Sequence, residues 1–529
     1  MSRDFQLPGR SPVIASEGMA ATSHPLATLA AIDTLRAGGN AVDAAVAAVA
    51  VLCVIEPHMT GIGGDCFALI AEPGKPVWGY NGCGRSGAKA STEALLEKGM
   101  TSIEPTSPHA VNVPGAIEAW DALLKARGSW PLDRVLAPAI KYAEHGFPVA
   151  PRVASDWKGW VSKLRNSAGA TKHYLPNGGT PAEGDVMKLP ALAETLKAIA
   201  KNGPKAFYEG SIAQDMASTL AAKGSVLTAE DFAKHRGEVV TPISTNYRGI
   251  DLVEIPPNTQ GLTALVTLNV LENFDLASLD ALGPDRFHLM LEAARLGFAV
   301  RDTHIAEPSF MRVPVDALND KAFAKTLAAK LDRTKRVPLP AAPTPGSDTV
   351  YLTVVDRDRR AVSLINSLYS SFGTGICTEK TGVLFNNRGS GFVLKPGHPN
   401  TLGPSKRPMH TIIPGMVVEN GEATMPFGVM GGHFQPMGQT LFLSNHFEFG
   451  LDIQEALDCP RLFPNPSKGV VELERGVPAA AAERLAALGH RCEVIAKPHG
   501  GGQAIRIDRE RGVLVAGSDP RKDGCALGF

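Results

Sequence analysis

Residues 336–356 read RVPLPAAPTPGSDTVYLTVVD, and this stretch decides the fold. Its first part, residues 336–348, holds four prolines and a glycine without apolar periodicity, which predicts an exposed, extended connector. The β-branched run that follows, residues 350–355, predicts a strand, and residues 361–368 predict a second strand after a short turn. Thr349 therefore stands where an exposed connector meets a buried strand.

A threonine at such a junction has a chemical use as well as a structural one. If the peptide bond between Asp348 and Thr349 were cut, the hydroxyl and a new α-amino group would lie on one residue. An α-amino group has an ordinary pKa of about 7.7–8.0, so at neutral pH it can take the proton of the hydroxyl and make it a nucleophile. Threonine also begins strands for purely structural reasons, and the junction alone does not decide between the two interpretations.

The composition limits the classes of function. The chain has 529 residues, 53 Lys and Arg against 53 Asp and Glu, and 44% hydrophobic residues, which predicts a globular protein without the basic excess of a nucleic-acid binder. No apolar run approaches the roughly 18 residues of a membrane helix, and no secretory signal is visible. Seven scattered cysteines without a CxxC pair indicate neither a disulfide framework nor a zinc site. We expect a soluble, cytoplasmic protein with no metal, no cofactor, and no nucleic-acid or membrane partner.

Helical patterns dominate the first part of the chain and strand patterns the last. Apolar spacing predicts helices over residues 24–37 and 40–55, and a glycine loop then leads into a predicted strand at 66–70. Residues 115–335 predict helices that alternate with loops. From residue 349 to the end, the sequence is typical of β-structure with a few helices.

A series of short motifs runs along nearly the whole chain. They are TGIGGD from Thr60 to Asp65, Val113-Pro114-Gly115, the stretch from Thr349 to Asp356, Ser371-Phe372-Gly373-Thr374-Gly375, Asn386-Asn387, GPSKRP from Gly403 to Pro408, and Gly431-Gly432. In these motifs and in their order the chain resembles the γ-glutamyltransferase (glutathione hydrolase) family.

The resemblance implies a fold and a maturation step. The fold is that of an N-terminal-nucleophile hydrolase, an α/β (α+β) protein built as a four-layer αββα sandwich and made as an inactive precursor. Self-cleavage between Asp348 and Thr349 would give a helix-rich large subunit, residues 1–348, and a small subunit, residues 349–529. The two subunits would be partners in one interlocked domain, and the sequence does not determine whether a higher oligomer forms.

The resemblance also implies the catalytic groups. Thr349 would be the nucleophile, with its own α-amino group as the base, and would form an acyl-enzyme with an amide substrate. The backbone N–H groups of Gly431 and Gly432 match the oxyanion hole of the family, where a side chain would hinder close approach. Ser367 matches a family threonine whose hydroxyl bonds to the nucleophile. His433 is interpreted as structural, because the α-amino group already supplies a base.

Several substrate-binding positions depart from the family. Arg388 occupies a family Gln or Glu position, and Gly391 occupies an Asp position. The Ser-Ser pair that binds the α-carboxylate is His410-Thr411, and a family Asn near the nucleophile is Tyr369. The best match to the carboxylate-binding arginine is Arg85, in a segment respaced by two residues. A surface arginine and a satisfied core histidine are the alternative interpretations of residues 388 and 410.

These departures favour one class of substrate. Without the acidic partner a substrate ammonium would lie uncompensated, whereas the added arginine favours a compact anion. We therefore predict a small amide that bears a carboxylate, as in the oxamate amidohydrolase branch of the family. The lid of the family, between Phe392 and Pro408, is short here, which favours hydrolysis over transfer. The alternatives are a glutathione hydrolase or γ-glutamyltransferase, an acylase of the cephalosporin type that removes a dicarboxylate side chain, and an unprocessed relative without activity.

Overall fold

The computed structural model describes residues 9–338 and 348–529, with only the backbone of Asp348. Most of its strands belong to two large sheets. The strands are β1 (Val13–Ala15), β2 (Met19–Thr22), β3 (Asp65–Ala71), β4 (Trp78–Gly82), β5 (Phe147–Pro148), β6 (Val186–Met187), β7 (Glu238–Val240), β8 (Ile243–Tyr247), β9 (Ile250–Glu254), β10 (Asp348–Val355), β11 (Ala361–Tyr369), β12 (Gly415–Glu419), β13 (Glu422–Met430), β14 (Leu462–Asn465), β15 (Val470–Leu473), β16 (Cys492–Val494), β17 (Gly501–Asp508), β18 (Val513–Ser518) and β19 (Cys525–Gly528).

The two large sheets are antiparallel throughout their described strands and have seven strands each. The β10 sheet has the order β19-β2-β10-β11-β3-β4-β7, and the β13 sheet has the order β1-β18-β17-β13-β12-β9-β8. They pack face to face, and one close contact between them uses a glycine. A Cβ on Gly428 of β13 would lie 2.5 Å from the ring of Tyr351 in β10, so a larger residue there would push the sheets apart.

Helices cover the outer face of each sheet. The Ala-rich helix α2, capped by Asn40 and buried along its whole length, lies on the β10 sheet, while α13 and α17 lie on the β13 sheet. The four layers confirm the predicted αββα sandwich. The helices are α1 (Pro25–Arg36), α2 (Ala41–Ile55), α3 (Thr92–Glu97), α4 (Ala116–Arg127), α5 (Leu132–His145), α6 (Pro151–Trp157), α7 (Val161–Arg165), α8 (Ala168–Tyr174), α9 (Pro190–Asn202), α10 (Lys205–Tyr208), α11 (Gly210–Ala221), α12 (Ala229–Ala233), α13 (Gly261–Leu271), α14 (Pro284–His304), α15 (Val315–Leu318), α16 (Lys321–Ala328), α17 (Gln435–Leu443), α18 (Ile453–Asp458) and α19 (Ala479–Ala487).

The parts of the chain before and after Thr349 are interleaved in both sheets. In the β10 sheet, β10 and β11 lie between β2 and β3, and β19 pairs with the other edge of β2. In the β13 sheet, β1 at one edge and β8 and β9 at the other flank strands that come from the second part. Neither part therefore forms a complete sheet by itself.

The predicted elements agree with the structure except in one region. The predicted helices at 24–37 and 40–55 are α1 and α2, and the predicted strands around Thr349 are β10 and β11. The prediction of helices and loops alone over residues 115–335 is wrong, because β5 to β9 fall there, β7, β8 and β9 of them in the two large sheets. Their signal is weak, since β8 alternates buried and exposed residues over only five positions at the edge of its sheet.

The remaining predictions on organisation concern the connector and the membrane. Most of the connector, residues 339–347, lies outside the described residues. In the described beginning of the connector, the backbone N–H of Val337 donates to Glu292 (2.8 Å). Within the described ranges, none of the helices combines the length and the apolar character needed to cross a bilayer.

Candidate active site

Thr349 lies in β10 beside the hydroxyl of Ser367. Its side chain is fully buried, and its Oγ1 lies 3.1 Å from Ser367 Oγ. The ladder between β10 and β11 shifts register at this point, because Asp348 faces Tyr369 whereas Val350 faces Asn366. Such an irregularity re-aims side chains, and here it brings the two hydroxyls together. The structure thus places the predicted nucleophile and its predicted hydroxyl partner in hydrogen-bonding contact.

The Gly431-Gly432 pair follows β13, the strand of the opposite sheet that packs against β10 and β11. Both glycines have a positive φ, 125° and 57°, and a Cβ on Gly431 would lie 3.1 Å from the Cα of Gly500. The carbonyl of Gly432 accepts a hydrogen bond from Gln260 Nε2 (2.8 Å). The conformation of this loop therefore requires glycine, as expected for a backbone that carries oxyanion donors.

A cavity of about 730 Å³ opens at residues that follow Ser367 and Gly432 in the chain. Tyr369 and His433 form one wall, and the segment after residue 391, where the family lid was predicted, forms another. Thr349 and Arg388 do not line the cavity. The ring of Tyr369 stacks on the Arg388 guanidinium, with 4.0 Å between the guanidinium carbon and the ring centroid. In the continuous chain, Tyr369 therefore separates the cavity from the arginine.

Arg388 is a buried cation that makes few hydrogen bonds to the rest of the described protein. Its side chain is 1% exposed, which excludes the surface interpretation. Nη1 donates to Thr411 Oγ1 (2.9 Å), whereas Nε and Nη2 have no hydrogen-bond partner among the described residues. Burial lowers the pKa of Arg388, and the nearby Tyr369 and Asp65 oppose that shift. Buried donors left unpaired are costly, so this edge of the guanidinium is suited to an anion.

His410 is paired with a carboxylate rather than turned toward the cavity. Its Nε2 lies 3.1 Å from Asp65 Oδ2, and its Nδ1 accepts the backbone N–H of Ile412 (3.2 Å). The ring proton therefore lies on Nε2 and is donated to Asp65. Burial raises the pKa of Asp65 to about 6 and, together with the charge of Arg388, lowers the pKa of His410. The histidine is thus a satisfied buried residue beside Thr411.

Asp65 and His410 also belong to a group that has the composition of a metal site. One ligand atom from each of Asp65, Cys83 and His410 lies within 4.8 Å of the others. A metal on His410 Nε2 would require the ring proton on Nδ1, where the N–H of Ile412 already points. The charge of Arg388 acts on the same group. The residue types would suit a cation, but their hydrogen bonds do not.

The structure does not bring Arg85 to this site. Its guanidinium pairs with Glu307 and donates to the carbonyl of Ser405 (3.0 Å). It lines a separate cavity of about 400 Å³, with Lys234 and Arg236. The predicted role of Arg85 in substrate binding is therefore not supported, because the respaced segment directs its side chain to a carboxylate of the protein itself.

Arg301 and Gln260, which the sequence analysis did not identify, connect the parts of the site. Arg301 is 1% exposed, and its Nη1 donates to Gln260 Oε1 (2.8 Å) and to His433 Nδ1 (2.8 Å). Gln260 Nε2 in turn donates to the carbonyls of Thr411 (2.9 Å) and Gly432 (2.8 Å). The only signal in the sequence is a charged residue next to the apolar Phe298 and Val300 near the end of a helix, which is too common to be specific.

Comparisons with known proteins agree with this geometry. The Gamma-glutamyltranspeptidase family model matches residues 27–529. The glutathione hydrolase-like YwrD proenzyme of Bacillus subtilis is 38% identical over 98% of this chain and 99% of its own, and the oxamate amidohydrolase proenzyme of Klebsiella pneumoniae is 35% identical over 98% and 99%. The crystal structure of cephalosporin acylase from Bacillus halodurans superimposes with a TM-score of 0.93 at 39% identity, over 100% of this chain and 99% of its own. The resemblance is confirmed, and the chain belongs to the γ-glutamyltranspeptidase family of N-terminal-nucleophile amidohydrolases.

Proposed function

We propose that this protein is a self-cleaving amidohydrolase that hydrolyses a small amide bearing a carboxylate, with oxamate as the simplest example. The observation that carries the proposal is the buried guanidinium of Arg388, whose Nε and Nη2 lack a partner among the described residues. A carboxylate offers two oxygens in the geometry that this edge requires. An oxamate amidohydrolase proenzyme is also among the similar proteins.

Maturation would begin at Thr349. Its Oγ1 attacks the carbonyl carbon of Asp348, and the peptide nitrogen leaves as the α-amino group of Thr349, which converts the amide into an ester. Water then hydrolyses the ester and frees the hydroxyl. The contact with Ser367 Oγ (3.1 Å) orients the hydroxyl, and several similar proteins are named proenzymes. The product would be two chains, residues 1–348 and 349–529, held in one interleaved fold.

In the mature enzyme the α-amino group of Thr349 would act as the base. It takes the proton of Oγ1, which attacks the amide carbonyl, while the N–H groups of Gly431 and Gly432 stabilise the oxyanion. The α-ammonium returns the proton to the leaving nitrogen. Water, activated by the same amine, then hydrolyses the acyl-enzyme. We propose hydrolysis rather than transfer, because the segment between Phe392 and Pro408 is short.

The charges around Arg388 argue against a γ-glutamyl substrate. The acidic residue of the family that would hold a substrate ammonium is replaced by Gly391. Asp65, the buried carboxylate whose charge acts on Arg388, already accepts from His410. An ammonium placed beside Arg388 would meet a like charge without a free counter-ion, at a cost of about several kcal/mol.

A second candidate follows from the size of the cavity. Hydrolysis of oxamate releases ammonia, which is a small and polar leaving group. The cavity has a volume of about 730 Å³, and part of its wall is formed by apolar side chains, those of Trp160, Phe392, Leu394 and Met409. This volume suits an amide whose amine part is large and apolar. The similarity to a cephalosporin acylase agrees with such a substrate. We therefore include substituted amides in the test.

The test compares amides under identical conditions. Purified, self-cleaved enzyme is assayed with oxamate, N-phenyl oxamate, a glutaryl amide and a γ-glutamyl anilide, and kcat/KM is measured for each. We expect the two oxamates to exceed the γ-glutamyl anilide, and a higher value for the N-phenyl compound would favour the second candidate. A clear preference for the γ-glutamyl anilide would show that Arg388 has been misinterpreted and that the enzyme is a glutathione hydrolase.

A further inference from the structure

The wall of the cavity contains a hydrogen-bonded chain of three side chains, Arg301, His433 and Tyr369. We infer that Arg301 and His433 are positioning residues that fix the direction of the Tyr369 hydroxyl, so that this hydroxyl donates a hydrogen bond to the carboxylate of the substrate. The inference rests on the proposed function, because it assigns a second donor, besides Arg388, to the same carboxylate.

The direction of the chain follows from its first member. A guanidinium can only donate, so the 2.8 Å contact from Arg301 Nη1 makes His433 Nδ1 an acceptor. Burial and the charges of Arg301 and Arg388 lower the pKa of His433 well below its usual value, so the ring is neutral. Its one proton must then lie on Nε2, which is 3.1 Å from Tyr369 Oη. The tyrosine oxygen accepts this proton, and its own O–H is directed away from His433.

Tyr369 is held by several other contacts at this place. Its backbone N–H donates to Ser367 Oγ (2.8 Å), the same hydroxyl that lies beside Thr349. Its ring stacks on Arg388. Its φ of 85° is unusual for a residue other than glycine and persists only where the surroundings determine it. These restraints hold Tyr369 in the wall of the cavity, with its backbone bonded to the hydroxyl that contacts the predicted nucleophile.

The carboxylate is the substrate group that best matches this donor. The phenol O–H and the edge of Arg388 that has no partner among the described residues belong to two side chains in direct contact, and the backbone of Tyr369 bonds to Ser367 Oγ, which contacts Thr349. In a small amide such as oxamate the carboxylate is bonded directly to the carbonyl carbon that Thr349 attacks. A donor that is restrained before the substrate binds loses little freedom in the complex. The histidine thus acts through the tyrosine and does not touch the substrate.

A double-mutant cycle tests the inference in the self-cleaved enzyme. The variants are Tyr369→Phe, His433→Leu, the double variant, and His433→Gln, whose amide retains one acceptor and one donor. We expect each of the first two to lower kcat/KM for oxamate by about tenfold, mainly through KM. The double variant should lose no more than Tyr369→Phe alone, since both changes remove one interaction, and His433→Gln should recover most of the loss. Tyr247→Phe removes a buried phenol bonded to Glu448, outside the cavity, and serves as the control.

Three results would overturn the inference. They are a loss of about a hundredfold in the double variant, a His433→Gln enzyme no better than His433→Leu, and ¹⁵N chemical shifts that place the proton of His433 on Nδ1. The ¹⁵N measurement, assigned by difference from His433→Gln, needs no substrate. If the wild type hydrolyses none of the carboxylate amides, the proposed function fails, while a proton on Nε2 would still support the chain of hydrogen bonds and a proton on Nδ1 would refute it.

Discussion

Replacing Arg388 by methionine tests whether its charge binds the substrate or stabilises the fold. The change removes a buried guanidinium. In the wild type this group donates one hydrogen bond, to Thr411, and its Nε and Nη2 have no partner among the described residues. Methionine fills a similar volume with apolar atoms. Replacement of a buried charge by a well-packed apolar group is often neutral or stabilising by about 1–4 kcal/mol. We therefore expect the free energy of unfolding to stay the same or to rise.

We expect the same substitution, Arg388→Met, to lower the activity of the enzyme. In the wild type, Nε and Nη2 of Arg388 would make at least one charge-assisted hydrogen bond to the carboxylate, worth about 1.5–3 kcal/mol. The loss in kcat/KM for oxamate is then about 10- to 150-fold. Activity is measured at several substrate concentrations on self-cleaved protein, and stability is measured by urea denaturation of the uncleaved Thr349→Ala background, where unfolding involves one chain.

A matched control is available in Arg286, which is equally buried. Its Nη2 donates to Asn445 (2.7 Å) and Ser444 (3.0 Å), and it lies outside the cavity. Arg286→Met should destabilise by about 1–3 kcal/mol, because it leaves polar partners unpaired, and should keep the kcat/KM of the folded enzyme. If Arg388→Met instead loses several kcal/mol of stability and keeps its activity, Arg388 is structural and the carboxylate site has been misplaced.

Three further outcomes are expected. Cleavage before Thr349 should divide the 55.8 kDa chain into fragments of about 37 and 19 kDa on a denaturing gel, the smaller beginning Thr-Val-Tyr-Leu, whereas Thr349→Ala should remain one inactive band; a cut elsewhere would contradict the assignment. Gly391→Asp combined with Arg388→Gln should shift the ratio of kcat/KM values toward γ-glutamyl amides, since a Cβ at position 391 meets only the Met409 carbonyl oxygen at 3.2 Å; an unchanged ratio would count against the ammonium argument. Burial raises the pKa of Glu56 from 4.5 to about 7, so the folded state binds more protons than the unfolded state in this range and stability is lost as pH rises through it. Glu56→Gln should therefore become more stable relative to the wild type between pH 4.5 and 7 in urea titrations, and a constant difference would refute the shift.

The sequence predicts the layers and the nucleophile better than the substrate-binding wall. Strands β10 and β11 follow from β-branched runs, and the contact of Thr349 with Ser367 follows from the family motifs. Arg301 cannot be predicted to reach His433, because residues 132 positions apart meet only through tertiary packing, in which α14 contacts α17 just after His433. Arg85 shows the converse difficulty, since a shift of two residues in its segment is enough to give its guanidinium a different partner.

The interleaving of the two parts in both sheets has a consequence for the lifetime of the mature protein. Before cleavage, unfolding and refolding involve a single chain, so lost structure can be regained at any concentration. After cleavage, refolding would require two fragments to meet, and each would expose strand edges that lack their partners. The mature protein would therefore persist by slow unfolding rather than by a reversible equilibrium, and its melting would depend on heating rate. A cut before Thr349 would therefore have to follow complete folding, and it would make later unfolding practically irreversible.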